Sequence, residues 1–151
     1  MRFQLEMRPA GGEGPPVTIS YRPRRMARIV TAMRGLAMVV DGGPPPKFPL
    51  WAVFGVSDFD TAGRPVGGRA KEYETELERI LSWHGDTDLD GIPIHKLSTN
   101  LGWHVTAGEC RAAIRHFEYW LETGEQAPPV FGGKLIPFLR ASTQRDGFEV
   151  H

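Results

Sequence analysis

The chain has 151 residues, of which 40% are hydrophobic, 24% charged and 10% aromatic, with 18 basic and 18 acidic side chains. A chain of that length can bury roughly 68–70% of its unfolded surface, so it folds without a metal or disulfide staple, and its apolar content excludes a disordered protein. A formal net charge of +0 offers no basic excess for general nucleic-acid binding, and a single cysteine excludes an intramolecular disulfide and a cysteine-rich zinc site.

No apolar run approaches the roughly 18 residues of a membrane span, and the opening MRFQLEMR lacks the apolar region of a secretory signal. The expectation is a soluble cytoplasmic protein with no membrane association. Residues 1–8 alternate, with Met1, Phe3, Leu5 and Met7 on one face, as a half-buried strand requires. After a Gly/Pro loop, Val17, Ile19 and Tyr21 alternate again, which predicts a second strand antiparallel to the first. Pro23 suits the first turn of a helix, and Met26, Ile29, Val30, Met33 and Ala37 recur at helical spacing. The favoured reading carries this helix to about Val40; the alternative stops it near Arg34 and makes residues 36–40 a strand.

The DGGPPPKFP segment at 41–49 is an extended connector, because consecutive prolines favour polyproline II. It is read as a loop within one domain, since forty residues are marginal alone. Residues 50–56 form an apolar, branched and aromatic run expected to be a central strand. A Gly-rich loop at 61–68 leads to a helix marked by Ala70, Tyr73, Leu77, Ile80 and Leu81, with an acidic outer face and Gly85 as its stop. Residues 92–97 are read as a short strand, Asn100-Leu101-Gly102 as a turn, and Trp103-His104-Val105 as a second strand. Thr106 and Glu109 then spell a capping box, with Val105 and Cys110 at the staple positions. Cys110, Ala113, Ile114, Phe117 and Leu121 make the buried stripe of the helix that follows, and Gly124 closes it. A short helix over 135–143 and a last strand at 148–151 complete the chain. The fold class is α+β: a single domain over 1–151, mainly antiparallel sheet packed by about three helices.

Several residue sets carry chemistry. Asp86, Asp88 and Asp90 before Gly91 match a calcium loop, in which alternating carboxylates point at one centre. The twelfth position is Leu97 instead of glutamate, so an EF-hand fails; the set could hold calcium only with a carboxylate from elsewhere, and an acidic surface turn explains it as well. Residues 63–68 have the G-x-x-x-x-G spacing of a phosphate loop, but Arg69 and Ala70 replace the Lys-Ser/Thr pair, which excludes an NTPase. Arg22, Arg24, Arg25, Arg28 and Arg34 form the only basic cluster. Arginines at a helix start oppose the macrodipole, and a bound phosphate or acidic partner would relieve them; a solvated face is the simpler alternative. Ser98, Thr99, Asn100, His95 and His104 form the densest neutral polar set. A general base among them is conceivable, as is a plain solvent face. Asp58 and Asp60 could add a carboxylate pair at a strand end. The four tryptophans read as core or interface anchors.

The stretch LSTNLGWHVTAGEC, followed by IPFLRASTQRDGFEVH, resembles a loose set of small phage and actinobacterial proteins. The resemblance rests on Ser98, Asn100, Gly102, Trp103, Val105, Thr106, Glu109 and Cys110 and covers about the last sixty residues; Thr99 is an insertion against the pattern. It implies a phage or prophage accessory protein and supplies no activity. The leading expectation is a binding module without catalysis, holding a protein partner or small anionic ligand through Arg22, Arg24, Arg25 and the Ser98, Thr99, Asn100 and His104 turn, with no cofactor other than the calcium option. The competing expectation is a small hydrolytic or metal-assisted enzyme using Asp58, Asp60, His95 and His104.

Overall fold

A computed structural model describes residues 2–7, 17–48, 62, 70–83 and 90–151. The chain divides into two compact units, residues 1–44 with 84–151, and residues 45–83. The expected strand at 50–56 and the glycine loop before Arg69 lie outside the described residues.

In the larger unit, β1 (Phe3–Met7) pairs antiparallel with β2 (Val17–Tyr21), Phe3 opposite Tyr21 and Met7 opposite Val17. The alternation is real: Phe3, Leu5 and Met7 are buried and Gln4 is exposed. On β2 only Tyr21 is buried, because among the described residues β2 is the edge of a four-stranded sheet ordered β2-β1-β6-β5. The last strand, β6 (Phe148–Val150), is central in that sheet, antiparallel to both β1 and β5 (Trp103–Val105). Strands β1 and β6 therefore lie side by side in the middle of the sheet, with Gln4 and His151 exchanging main-chain hydrogen bonds at 2.8 and 2.9 Å.

Helix α1 (Pro23–Gly35) begins where Pro23 predicts and buries Met26, Ile29, Val30 and Met33. It does not reach Val40. Ala37 takes a left-handed φ of 62°, and its N–H bonds to Arg34 O while that of Met38 bonds back to Met33 O. This is a Schellman ending, sealed by the buried pair Met33 and Met38. The chain then leaves as β3 (Val39–Val40), which pairs in parallel with β4 (Ile92–Pro93). The N–H groups of Ile92 and Ile94, on either side of Pro93, bond to Met38 O and Val40 O, so the ladder never needs the donor that proline lacks.

The strand expected over 92–97 is thus two residues long. Leu97 N–H and Ser98 Oγ both donate to Ile94 O, which curls the chain into the helical turn α3 (His95–Ser98). Helix α4 (Ala107–Glu122) carries the expected capping box, Thr106 Oγ1 accepting from Glu109 N at 3.1 Å and Glu109 Oε1 accepting from Thr106 N at 2.8 Å. Its stripe holds from Cys110 to Phe117; Leu121, one turn past the Phe117–Phe131 ring contact, is 40% exposed. A 3-10 turn (Pro129–Phe131) and helix α5 (Leu135–Ser142) complete this unit. In the smaller unit, α2 (Ala70–Leu81) covers the predicted span. The architecture is α+β with a mainly antiparallel sheet. Among the described residues, no helix is long and apolar enough to cross a membrane.

Candidate functional site

The arginine cluster stands at the start of α1. The buried positions of the helix fall on one side, which leaves Arg24, Arg25 and Arg28 exposed on the other. Arg22 is the N-cap residue, makes no side-chain cap, and no acidic residue occupies the first turn. Beside it lies a cavity of about 370 Å³ lined by Arg2, Tyr21, Arg22, Arg25, Gly133 and Lys134, among others. Four cations thus face one space. Among the described residues, none of the four has a carboxylate within ion-pair distance.

Tyr21 sits in the wall of this cavity. It is 7% exposed, and its hydroxyl has no hydrogen-bond partner among the described residues. Burial raises its pKa, and the Arg25 charge opposes the rise. The Arg25 guanidinium lies 5.5 Å from the Tyr21 ring centroid, a cation–π contact, and reaches Val130 O at 3.4 Å. Gly132 allows this approach: its φ of 62° and ψ of −157° suit only glycine, and a Cβ there would lie 2.9 Å from the Arg25 Nη2. Guanidinium forks, an ammonium and a helix start are each groups that attract oxyanions.

The polar turn at Asn100 is spent on the fold. Ser98 Oγ donates to Ile94 O at 2.7 Å, and Trp103 Nε1 donates to Thr99 Oγ1 at 2.8 Å. Asn100 Nδ2 reaches Arg2 O at 3.3 Å, which ties the turn to the strand end that carries Arg2 into the cavity. His104 is not on a solvent face: it is 7% exposed, and its Nε2 is 2.8 Å from Asp146 O. His95 rides α3 and meets the Trp103 ring edge-on at 4.7 Å, so the two histidines do not face each other across paired strands. Asp58 and Asp60 lie outside the described residues, as do Asp86 and Asp88.

Of the acidic turn, Asp90 is described. Its Oδ1 accepts from Arg115 and its Oδ2 pairs with His116 at 2.8 Å. Desolvation is the largest single influence and raises the carboxyl pKa, but the hydrogen bonds and charges of Arg115 and His116 together outweigh it and hold the value down. Both oxygens therefore serve α4, where a calcium loop would turn them inward. Among the described residues, no three His, Cys, Asp or Glu side chains are grouped as a metal site.

A buried polar cluster has no counterpart in the sequence reading. Lys96, 0% exposed, donates from Nζ to His104 O at 2.7 Å and to Glu109 Oε1 at 2.9 Å. Burial lowers the Lys96 pKa, and Glu109 works against that drop. The one available signal was the capping-box glutamate, a carboxylate placed at a buried staple. Next to it, the Cys110 thiol is pushed up to about 12, first by burial and then by the Glu109 charge. Cys110 is therefore a core group. A thiol reagent at pH 8 is expected to label the native chain orders of magnitude more slowly than the unfolded chain, at a rate that follows opening. Labelling as fast as in denaturant would contradict the burial.

No protein-family model, curated protein or solved structure matches this chain. The class is therefore defined by fold and cavity alone: a small α+β protein with a cationic cavity at a helix start.

Proposed function

We propose that this protein is a small cytoplasmic binding module, without catalysis of its own, whose ligand is a small anion of the phosphate class. The observation that carries this reading is the convergence of Arg2, Arg22, Arg25 and Lys134 on one cavity, with no carboxylate within ion-pair distance of any of them among the described residues. Four like charges held together repel, and the α1 start adds positive potential. A bound oxyanion removes both costs. The preference over a hydrolytic reading rests on the Ser98, Thr99 and His104 groups, whose hydrogen bonds go to main chain and Trp103. An accessory role in a phage or prophage belongs to the same proposal and rests on the resemblance of the C-terminal sixty residues.

The test is a thermal melt in phosphate against chloride at equal ionic strength. At a phosphate concentration about 100 times Kd, a gain of roughly 2.7 kcal/mol is expected, which moves the melting point by about 5–10 °C. The double variant Arg22→Ala with Lys134→Ala should lose the shift while melting near wild type in chloride, since both side chains are exposed and make no ion pair among the described residues. A wild-type chain indifferent to phosphate, or a double variant that keeps the full shift, would overturn the reading.

A further inference from the structure

The cationic cavity is one end of a longer groove. A second cavity, about 450 Å³, is lined by Arg22, Arg24, Arg25, Arg28, Pro129 and Val130. A third, about 510 Å³, is lined by Arg24, Ala27, Arg28, Thr31, Ala32 and Val130. Arg22 and Arg25 belong to the first two, and Arg24, Arg28 and Val130 to the last two, so the three adjoin along the exposed face of α1. From Arg22 to Ala32 the helix rises roughly 15 Å. That is several times the width of a single phosphate.

The chemistry changes along this length. The first cavity holds Arg2, Arg22, Arg25 and Lys134. The far end is lined by Ala27, Thr31, Ala32 and Val130 together with Arg24 and Arg28. Arg24 and Arg28 stand one helical turn apart on α1. Their aliphatic stems add apolar surface, and their planar guanidinium groups stack on flat rings. The cations fall from four in each of the first two cavities to two in the third, where apolar side chains take their place, whereas a linear polyanion calls for an even row of charge. The gradient instead suits a molecule with an anionic head and a flat, weakly polar body.

We infer that the groove takes a mononucleotide, with its phosphate in the Arg2–Arg22–Arg25–Lys134 cavity and its base over Ala27 and Ala32 between the Arg24 and Arg28 side chains. This rests on the anion reading above and specifies the ligand of the same site.

Isothermal titration of the full chain with adenosine diphosphate, uridine monophosphate, orthophosphate, adenosine and oligothymidylate, at one ionic strength, tests it. Both nucleotides are expected to bind roughly tenfold or more tighter than orthophosphate, the increment that stacking on a guanidinium supplies. Ala27→Leu, at an exposed position, fills the far floor and should bring the nucleotide-to-orthophosphate affinity ratio down towards one. Should that variant not fold, the ratio in the wild-type chain decides alone. Orthophosphate binding as tightly as the nucleotides would overturn the mononucleotide and leave the anion site standing. Oligothymidylate binding more tightly than either mononucleotide would overturn it in favour of a polyanion. Failure of every phosphate species to bind would remove the anion reading itself.

Discussion

Replacing Glu109 by alanine is expected to cost about 3–5 kcal/mol of folding stability, a fall in melting temperature on the order of 10 °C. The reason is Lys96. Its ammonium is 0% exposed, and its charge is compensated by Glu109 Oε1, which lies 2.9 Å away. Without that oxygen a buried cation keeps the His104 carbonyl but loses its counter-charge, and the Thr106 N–H loses its capping acceptor as well. Removing both charges should be far less harmful than removing one. Lys96→Met combined with Glu109→Gln is expected to melt well above Glu109→Ala, and a double-mutant cycle measures the coupling. A Glu109→Ala chain melting within about 2 °C of wild type would show that the pair is not buried as described.

The same cluster shapes alkaline stability, with opposite signs for its two titrating members. The folded Lys96 pKa lies below its ordinary 10.5, so between those values the unfolded chain holds more protons and stability rises with pH. Cys110 titrates at about 12 in the fold and near 9.0 when unfolded, so between those values the folded chain holds more protons and stability falls. Lys96→Met should remove the rising contribution, and Cys110→Ala the falling one.

Gly147→Ala is expected to prevent folding or to cost more than about 4 kcal/mol. Gly147 has a φ of 67°, and a Cβ built there would lie 1.9 Å from Val105 O and 3.0 Å from Thr106 C. Both neighbours are main chain. They belong to the end of β5 and the cap of α4, and Phe148 pairs with Val105 in the next register step. No side chain can rotate away, so the clash is relieved only by parting β5 from β6. Gly124→Ala is the control: its φ is 90°, but nothing lies within 4 Å of a Cβ there, so only left-handed strain of about 1–2 kcal/mol is expected. Chemical denaturation of the two variants side by side makes the comparison. Equal losses would mean that the close crossing at Val105 is absent.

The arginine site was half legible in the sequence. Arg22, Arg24, Arg25 and Arg28 stand together in the chain, and their conflict with the helix dipole is a local property. Their companions are not local. Arg2 arrives just ahead of β1, and Lys134 comes from a loop more than a hundred residues further on. The Asn100 turn erred in the other direction. Its hydroxyls, amide and imidazole look free in one dimension, yet they are partnered by Ile94 O, Trp103, Arg2 O and Asp146 O.

What the amino-acid order determined by itself is what short-range geometry determines. The period-2 burial of Phe3, Leu5 and Met7, the helix start at Pro23 and the Thr106–Glu109 box each depend on residues within about one turn of one another. Tertiary structure decided the rest. The end of α1 at Gly35 follows from Val39 and Val40 finding a parallel partner in β4, for which Ala37 accepts a left-handed turn. The burial of Lys96 follows from α3 packing against β5 and the start of α4, where a carboxylate and a carbonyl were already in place. The last strand became central because the sheet needed a partner for both β1 and β5. A helix or cap is stabilised by neighbours in sequence, whereas a sheet order, a buried charge or a binding cavity is a property of surfaces that meet only after the chain has closed.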